Sequence, residues 1–253
     1  MKKQLFFPMM FGAMLMLSSA VKAQDKFTVN GNISVVNNYV WRGMDQNSGF
    51  SVQPTLSMSY KGLSLSAWGS QSITNNTERD VQELDLSLGY TIGGLSATVT
   101  DYWWGGLHQP YGYYQHGPAD NPIDGGHHLE ATMAYRVSDK YPLTVSWSTW
   151  LTGADARTNS RKRCYSSYFN ASYDFACPAD VTLTPAIGVT PWKGYYHDKA
   201  AVTDVSLKAA KSIHVSEKIL NTTFCASHRL TNQRPRVARG RFWIWILIEP
   251  FVC

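Results

Sequence analysis

The chain has 253 residues, 44% of them hydrophobic, and a formal net charge of +5. That charge sits at the ends: of 23 Lys and Arg, three fall in the first 22 residues and five after Leu220, together with one of the 18 acids, so the segment between is about −2. This segment lacks the basic stripe that nucleic-acid binding needs and any run near the ~20 apolar residues of a spanning helix, which excludes a nucleic-acid partner and a helical membrane protein.

In chain order, the first feature is an export signal. Lys2 and Lys3 form a basic start, Leu5 to Leu17 an apolar stretch, and Val21-Lys22-Ala23 a small-x-small cleavage site. Residues 1–23 therefore predict a cleaved secretory signal peptide and not an anchor, because the apolar run is too short. Residues 24–220 form the body and residues 221–253 an atypical tail.

The body alternates with period 2. Val52, Leu56, Met58 and Tyr60 oppose Ser51, Gln53, Thr55, Ser57 and Ser59; Leu84, Leu86, Leu88 and Tyr90 oppose Glu83, Asp85, Ser87 and Gly89. Such alternation signals strands with one apolar and one polar face. Ten strands are predicted: 27–41, 50–60, 63–70, 82–91, 94–104, 127–137, 142–151, 163–174, 180–189 and 202–214. Most have about 8–12 residues, the length of a tilted membrane strand.

Tight connections such as "IGGL" alternate with long polar ones such as the loop Gly105–Gly126. Short turns at one end and long loops at the other suit an outer-membrane barrel. Tyr39, Trp41, Tyr60, Tyr90, Trp103, Trp104, Tyr135, Tyr141, Trp150, Tyr173, Phe175 and Trp192 fall near strand ends, where aromatic belts at two water–lipid interfaces would place them. The polar faces carry mostly Ser, Thr, Asn, Gln and Gly, as a lumen would. On this phase the lumen receives Glu83, Asp85, Glu130, Arg136, Asp204 and Lys208, while Arg42 falls at the upper rim. The expected fold is all-β: an antiparallel up-and-down transmembrane barrel of about 12 strands, ten of them clear.

The stretch "VVNNYVWRGMDQNSGFSVQPTLSMSYKGLSLSAWGS" resembles the first hairpins of the TorF-type family of Gram-negative outer-membrane proteins classed as porins. The matching features are Tyr39-Val40-Trp41-Arg42-Gly43, then Gln53-Pro54, then Trp68-Gly69-Ser70, with "LDLSLGY", "TVTDYWW" and "LTPAIGV" further on. The resemblance covers roughly residues 27 to 219. It implies a porin-like barrel and supplies no catalytic residues.

The chemistry-bearing residues give no competing site. His127 and His128 are adjacent in a strand and point to opposite faces, so they cannot chelate one metal together; His108 and His116 lie in the long loop. No serine has the elbow or the base that a hydrolase would need. No metal, cofactor or enzymatic activity is expected. Cys164 and Cys177 would stand roughly 40 Å apart along one strand, too far for a disulfide.

The tail is the exception to the pattern. Barrels of this class have an even strand number, so two closing strands are needed after His214. "RFWIWILI" is apolar on both faces, Arg229, Arg234, Arg236 and Arg239 fall where a closing hairpin should be, and the chain ends in Cys253. The expectation is a shifted reading frame after about Leu220, with a divergent closing hairpin as the alternative.

The expected function is passage of small polar solutes, of no specified identity, through an outer-membrane porin or passive channel. Its partners would be outer-membrane lipid and the barrel-assembly machinery. A structural or adhesive barrel with a filled lumen is the alternative; a lipid-modifying barrel enzyme and a soluble sandwich rank lower.

Overall fold

The structure is a computed structural model that describes residues 26–73, 81–106, 127–153, 155, 162–215, 218–229 and 243–252. The signal segment, most of the long loop with His108 and His116, and Arg234, Arg236 and Arg239 lie outside the described residues.

The described residues form one antiparallel sheet with no helix. Its strands are β1 (Thr28–Trp41), β2 (Met44–Tyr60), β3 (Leu63–Ser72), β4 (Val81–Ile92), β5 (Leu95–Gly106), β6 (His127–Arg136), β7 (Leu143–Trp150), β8 (Ser167–Tyr173), β9 (Phe175–Cys177), β10 (Val181–Thr190), β11 (Ala201–Val215), β12 (Lys218–Arg229) and β13 (Trp243–Val252). β8 and β9 pair with β10 in one continuous register on either side of Asp174, so together they count as a single strand of twelve. Each strand pairs with its sequence neighbours, β10 pairs with β11, and β13 pairs with β1.

The alternation anticipated the strands because each has one face to bury. Which face is buried is the informative point. Ser51, Gln53, Ser70, Glu83, Ser148 and Asp204 are buried, while Val29, Ile33, Leu56, Met58, Leu65, Leu86 and Leu88 are exposed. Among the described residues only Val36, Trp150, Tyr168 and Tyr196 form a buried hydrophobic set, against sixteen buried polar side chains. The inner face is laced by hydroxyl and amide contacts: Gln53 Nε2 donates to Ser70 Oγ at 3.2 Å, Ser87 and Thr100 share a bond of 2.9 Å, and Thr132 and Ser148 one of 2.8 Å.

Burial is graded along the strands. On β2, Ser51 and Gln53 are buried, but Thr55, Ser57 and Ser59, nearer the short turns, are half-buried; β3 repeats the trend from Ser64 to Ser72. The polar face is buried toward the long-loop end and more exposed toward the short-turn end.

Several expectations need correcting. β2 begins at Met44 and not at residue 50, so β1 and β2 are joined by a two-residue turn, Arg42-Gly43, instead of a loop. Both turn residues have positive φ (50° and 72°), as the primed turns of tight hairpins require. β8 begins at Ser167 and not at residue 163, because Asp155 captures the preceding backbone: its carboxylate accepts from Tyr165 N at 2.6 Å and from Ser166 N at 3.2 Å. Cys164 and Cys177 are free thiols, one before β8 and the other at the end of β9.

The tail supplies two strands. β12 pairs with β11 from Asp204↔Arg229 to Val215↔Lys218, and β13 with β12 from Leu220↔Pro250 to Ser227↔Trp243. β13 also meets β1 at Gly31↔Val252, Asn32↔Phe251 and Val35↔Ile248. The backbone of 218–229 and 243–252 thus lies between β11 and β1.

Candidate functional site: an arginine plug inside the sheet

The β1–β2 hairpin is the longest in the described chain, and β2 is irregular near its start. The register slips between Val36 and Asn38 and again between Tyr39 and Val40, where β2 carries the extra residues. Bulges of this kind bend and over-twist a hairpin. Gly49 lies in the first of them, with φ of 136°.

The bend delivers Arg42 to the far side of the interior. Its Nη1 and Nη2 donate to Glu130 Oε2 and Oε1, both at 2.7 Å. Glu130 is on β6, five strands from β1 around the sheet. Arg42 Nη1 also donates to Tyr196 Oη, in the connection from β10 to β11. Its Cζ lies 4.4 Å from the Trp41 ring centroid and 4.7 Å from that of Tyr168 on β8. The side chain is 12% exposed and that of Glu130 1%. A fork-to-fork guanidinium–carboxylate pair is the strongest geometry open to these groups.

Aromatic side chains close the space around it. Trp41 packs against Tyr102, Trp104, Trp150 and Tyr196 at centroid distances of 5.9 to 6.4 Å. Trp150 stacks on Tyr195 at 4.9 Å and on Trp104 at 5.8 Å, and His128 sits on Trp104 at 4.6 Å. Trp150 Nε1 donates to Tyr196 Oη at 2.9 Å, so this buried polar atom is satisfied.

Two connections hold Tyr196 in place. Tyr195 N donates to Ser166 Oγ, and Ser166 Oγ donates to Asp155. Trp192 Nε1 donates to the Cys164 and Tyr165 carbonyls. The β7–β8 and β10–β11 connections are thereby tied together above the plug.

The charge on Arg42 is supported. Burial works against it, but Tyr196 and Glu130 outweigh burial and hold the guanidinium above its ordinary pKa. Burial pushes the Tyr196 phenol up, with Arg42 pulling it back. Tyr102 Oη donates to Glu130 Oε1 at 3.1 Å and Thr132 Oγ1 donates to the same oxygen at 3.3 Å, which fixes the carboxylate.

Of the candidate lumen residues, Glu83, Glu130 and Asp204 are buried at the loop-end half of the inner face. Asp85 lies beside Glu83 on β4 and is half-buried. Asp204 accepts from Tyr168 Oη at 2.9 Å and from Thr203 Oγ1 at 3.1 Å. Arg136 and Lys208 sit toward the turn end, Arg136 bonded to Asp174 at 2.9 Å. Arg42, expected at the rim, is drawn inside.

Sequence reasoning missed the aromatic plug. It assigned Trp41, Trp104 and Trp150 to an interfacial belt, but these rings turn inward and Trp150 is 1% exposed. The turn-end members Tyr60, Tyr90, Tyr141 and Phe175 are exposed. The signal was parity: Trp150 shares the polar face of its strand with Ser148. His127, on the other face, bonds Asp101 at 2.9 Å, so the two adjacent histidines do diverge. No cluster of three or more potential metal ligands occurs among the described residues.

No curated protein matches the chain. Residues 20–226 match a bacterial family, and through that match the chain belongs to the family described as "Bacterial protein of unknown function (Gcw_chp)".

Proposed function

We propose that the chain is a transmembrane β-barrel of the bacterial outer membrane, and that it is a passive channel for small polar solutes held shut at the loop end by the Arg42 hairpin. In this reading the signal segment exports it, the barrel-assembly machinery inserts it, and outer-membrane lipid surrounds it.

The observation that carries the reading is the inverted polarity of the sheet: Leu56, Met58, Leu65, Leu86 and Leu88 outward, Ser51, Gln53, Glu83 and Glu130 inward. Lipid favours that arrangement and water opposes it. The pairing of β13 with β1 at three positions and of β10 with β11 supports a sheet whose two ends meet, as a lipid span demands. The likeness to the TorF-type family points the same way.

The plug itself favours a second reading, a non-transporting barrel with a filled interior. Planar-bilayer recording of the refolded wild-type chain and of R42G separates the two. A gated channel gives rare openings in the wild type and frequent unitary steps in R42G. A silent R42G, with insertion verified by protease protection, leaves the structural barrel. A body soluble without detergent removes both.

A further inference from the structure

The seat of Arg42 is a cation site whatever delivers the cation. Glu130 presents both carboxylate oxygens at 2.7 Å, held in place by Tyr102 and Thr132. Tyr168 and Tyr196 offer ring faces from the wall opposite the hairpin. Ring faces combined with a carboxylate suit guanidinium and ammonium groups.

Further carboxyl groups lie on the same inner face. Glu83, 4% exposed, sits beside Tyr39 and Trp104, and Trp104 belongs to the plug. Its Oε2 and the Oδ1 of Asp85 are buried and have no hydrogen-bond partner. Asp204 is held by Tyr168, the residue whose ring faces Arg42.

We propose that this pocket is a binding site for solutes that carry a guanidinium or ammonium group, and that Arg42 is its tethered occupant, which such a solute must displace. Binding needs only the pocket; its use in permeation rests on the channel reading above.

The turn itself suggests the variant. Arg42 has a φ of 50°, a conformation that glycine adopts without strain, so R42G removes the guanidinium and keeps the turn; R42N, also tolerant of this region, is the second variant. Methylguanidinium chloride is titrated into the refolded full chain in detergent, with binding read from quenching of Trp41, Trp104 and Trp150 fluorescence. R42G and R42N should bind it saturably. R42G/E130Q should bind at least about tenfold more weakly, the loss expected for a charge-assisted pair. The wild type should bind it more weakly, with saturation only at higher concentrations, because Arg42 must first be displaced.

In the wild-type chain, methylguanidinium should also speed trypsin cleavage after Arg42, normalised to cleavage of a free arginine peptide, because it competes for Glu130. Binding by R42G no tighter than by the wild type, insensitivity to E130Q, or no change in wild-type cleavage overturns the proposal. A positive titration from a chain that never inserts into bilayers keeps the cation site and removes the channel.

Discussion

Two arginine–carboxylate pairs stand on the inner face, one near each end, and their surroundings differ. At the loop end Arg42 and Glu130 form a two-pronged pair, 12% and 1% exposed, roofed by aromatic rings. At the turn end Arg136 and Asp174 form a pair that is 40% and 37% exposed. The chemistry is the same, but the second pair is far more exposed. Burial makes breaking the first costly and leaves the second nearly neutral. The polar face is therefore drier at its loop end than at its turn end.

The largest test of that contrast is Glu130→Ala. It strands Arg42 in a dry site and should cost about 3–5 kcal/mol, read as a lower urea midpoint for the refolded protein. A loss near that of an exposed pair would mean that the loop end is not sealed. Next, Leu88→Arg places a charge on the outer face of β4 and should cost ~2–4 kcal/mol at the midplane of a bilayer. Ser87→Arg, one residue away on the inner face, should cost less in liposome refolding; equal costs would break the inside-out assignment.

A smaller effect is expected at Gly188. A Cβ there would run into Asp204 and the Tyr168 hydroxyl, so Gly188→Ala should lose about 1–3 kcal/mol through overpacking, measured by thermal unfolding in detergent. The smallest is Arg136→Ala, expected to change stability by less than ~1 kcal/mol and to be masked by salt. A loss as large as that of Glu130→Ala would show that the turn end is as dry as the loop end.

The strands were legible because period 2 is local. Ser51 and Gln53 against Leu56 and Met58 can be read from ten consecutive residues, and the phase that placed Glu83, Glu130 and Asp204 together follows from it. The plug was not legible. Arg42 and Glu130 are 88 residues apart, and Arg42 and Tyr196 are 154 apart. The bulges that aim the hairpin inward interrupt the alternation at Gln46, Gly49 and Phe50, where the sequence reads as a polar loop. The tail is harder to read for a related reason: Trp243–Ile248 is an unbroken apolar run, so alternation does not announce a strand there, and only the pairing with β1 and β12 marks one.

The plug also has a place in time. Its tip belongs to the first hairpin made, while its partners lie on β6, on β8 and beyond β10. Arg42 is therefore synthesised well before its partners, and contacts of such long sequence separation form late and slowly. Locking of Arg42 onto Glu130 and Tyr196 would then mark a chain whose far wall is already in place, a built-in report of maturation that an unfinished sheet could not give.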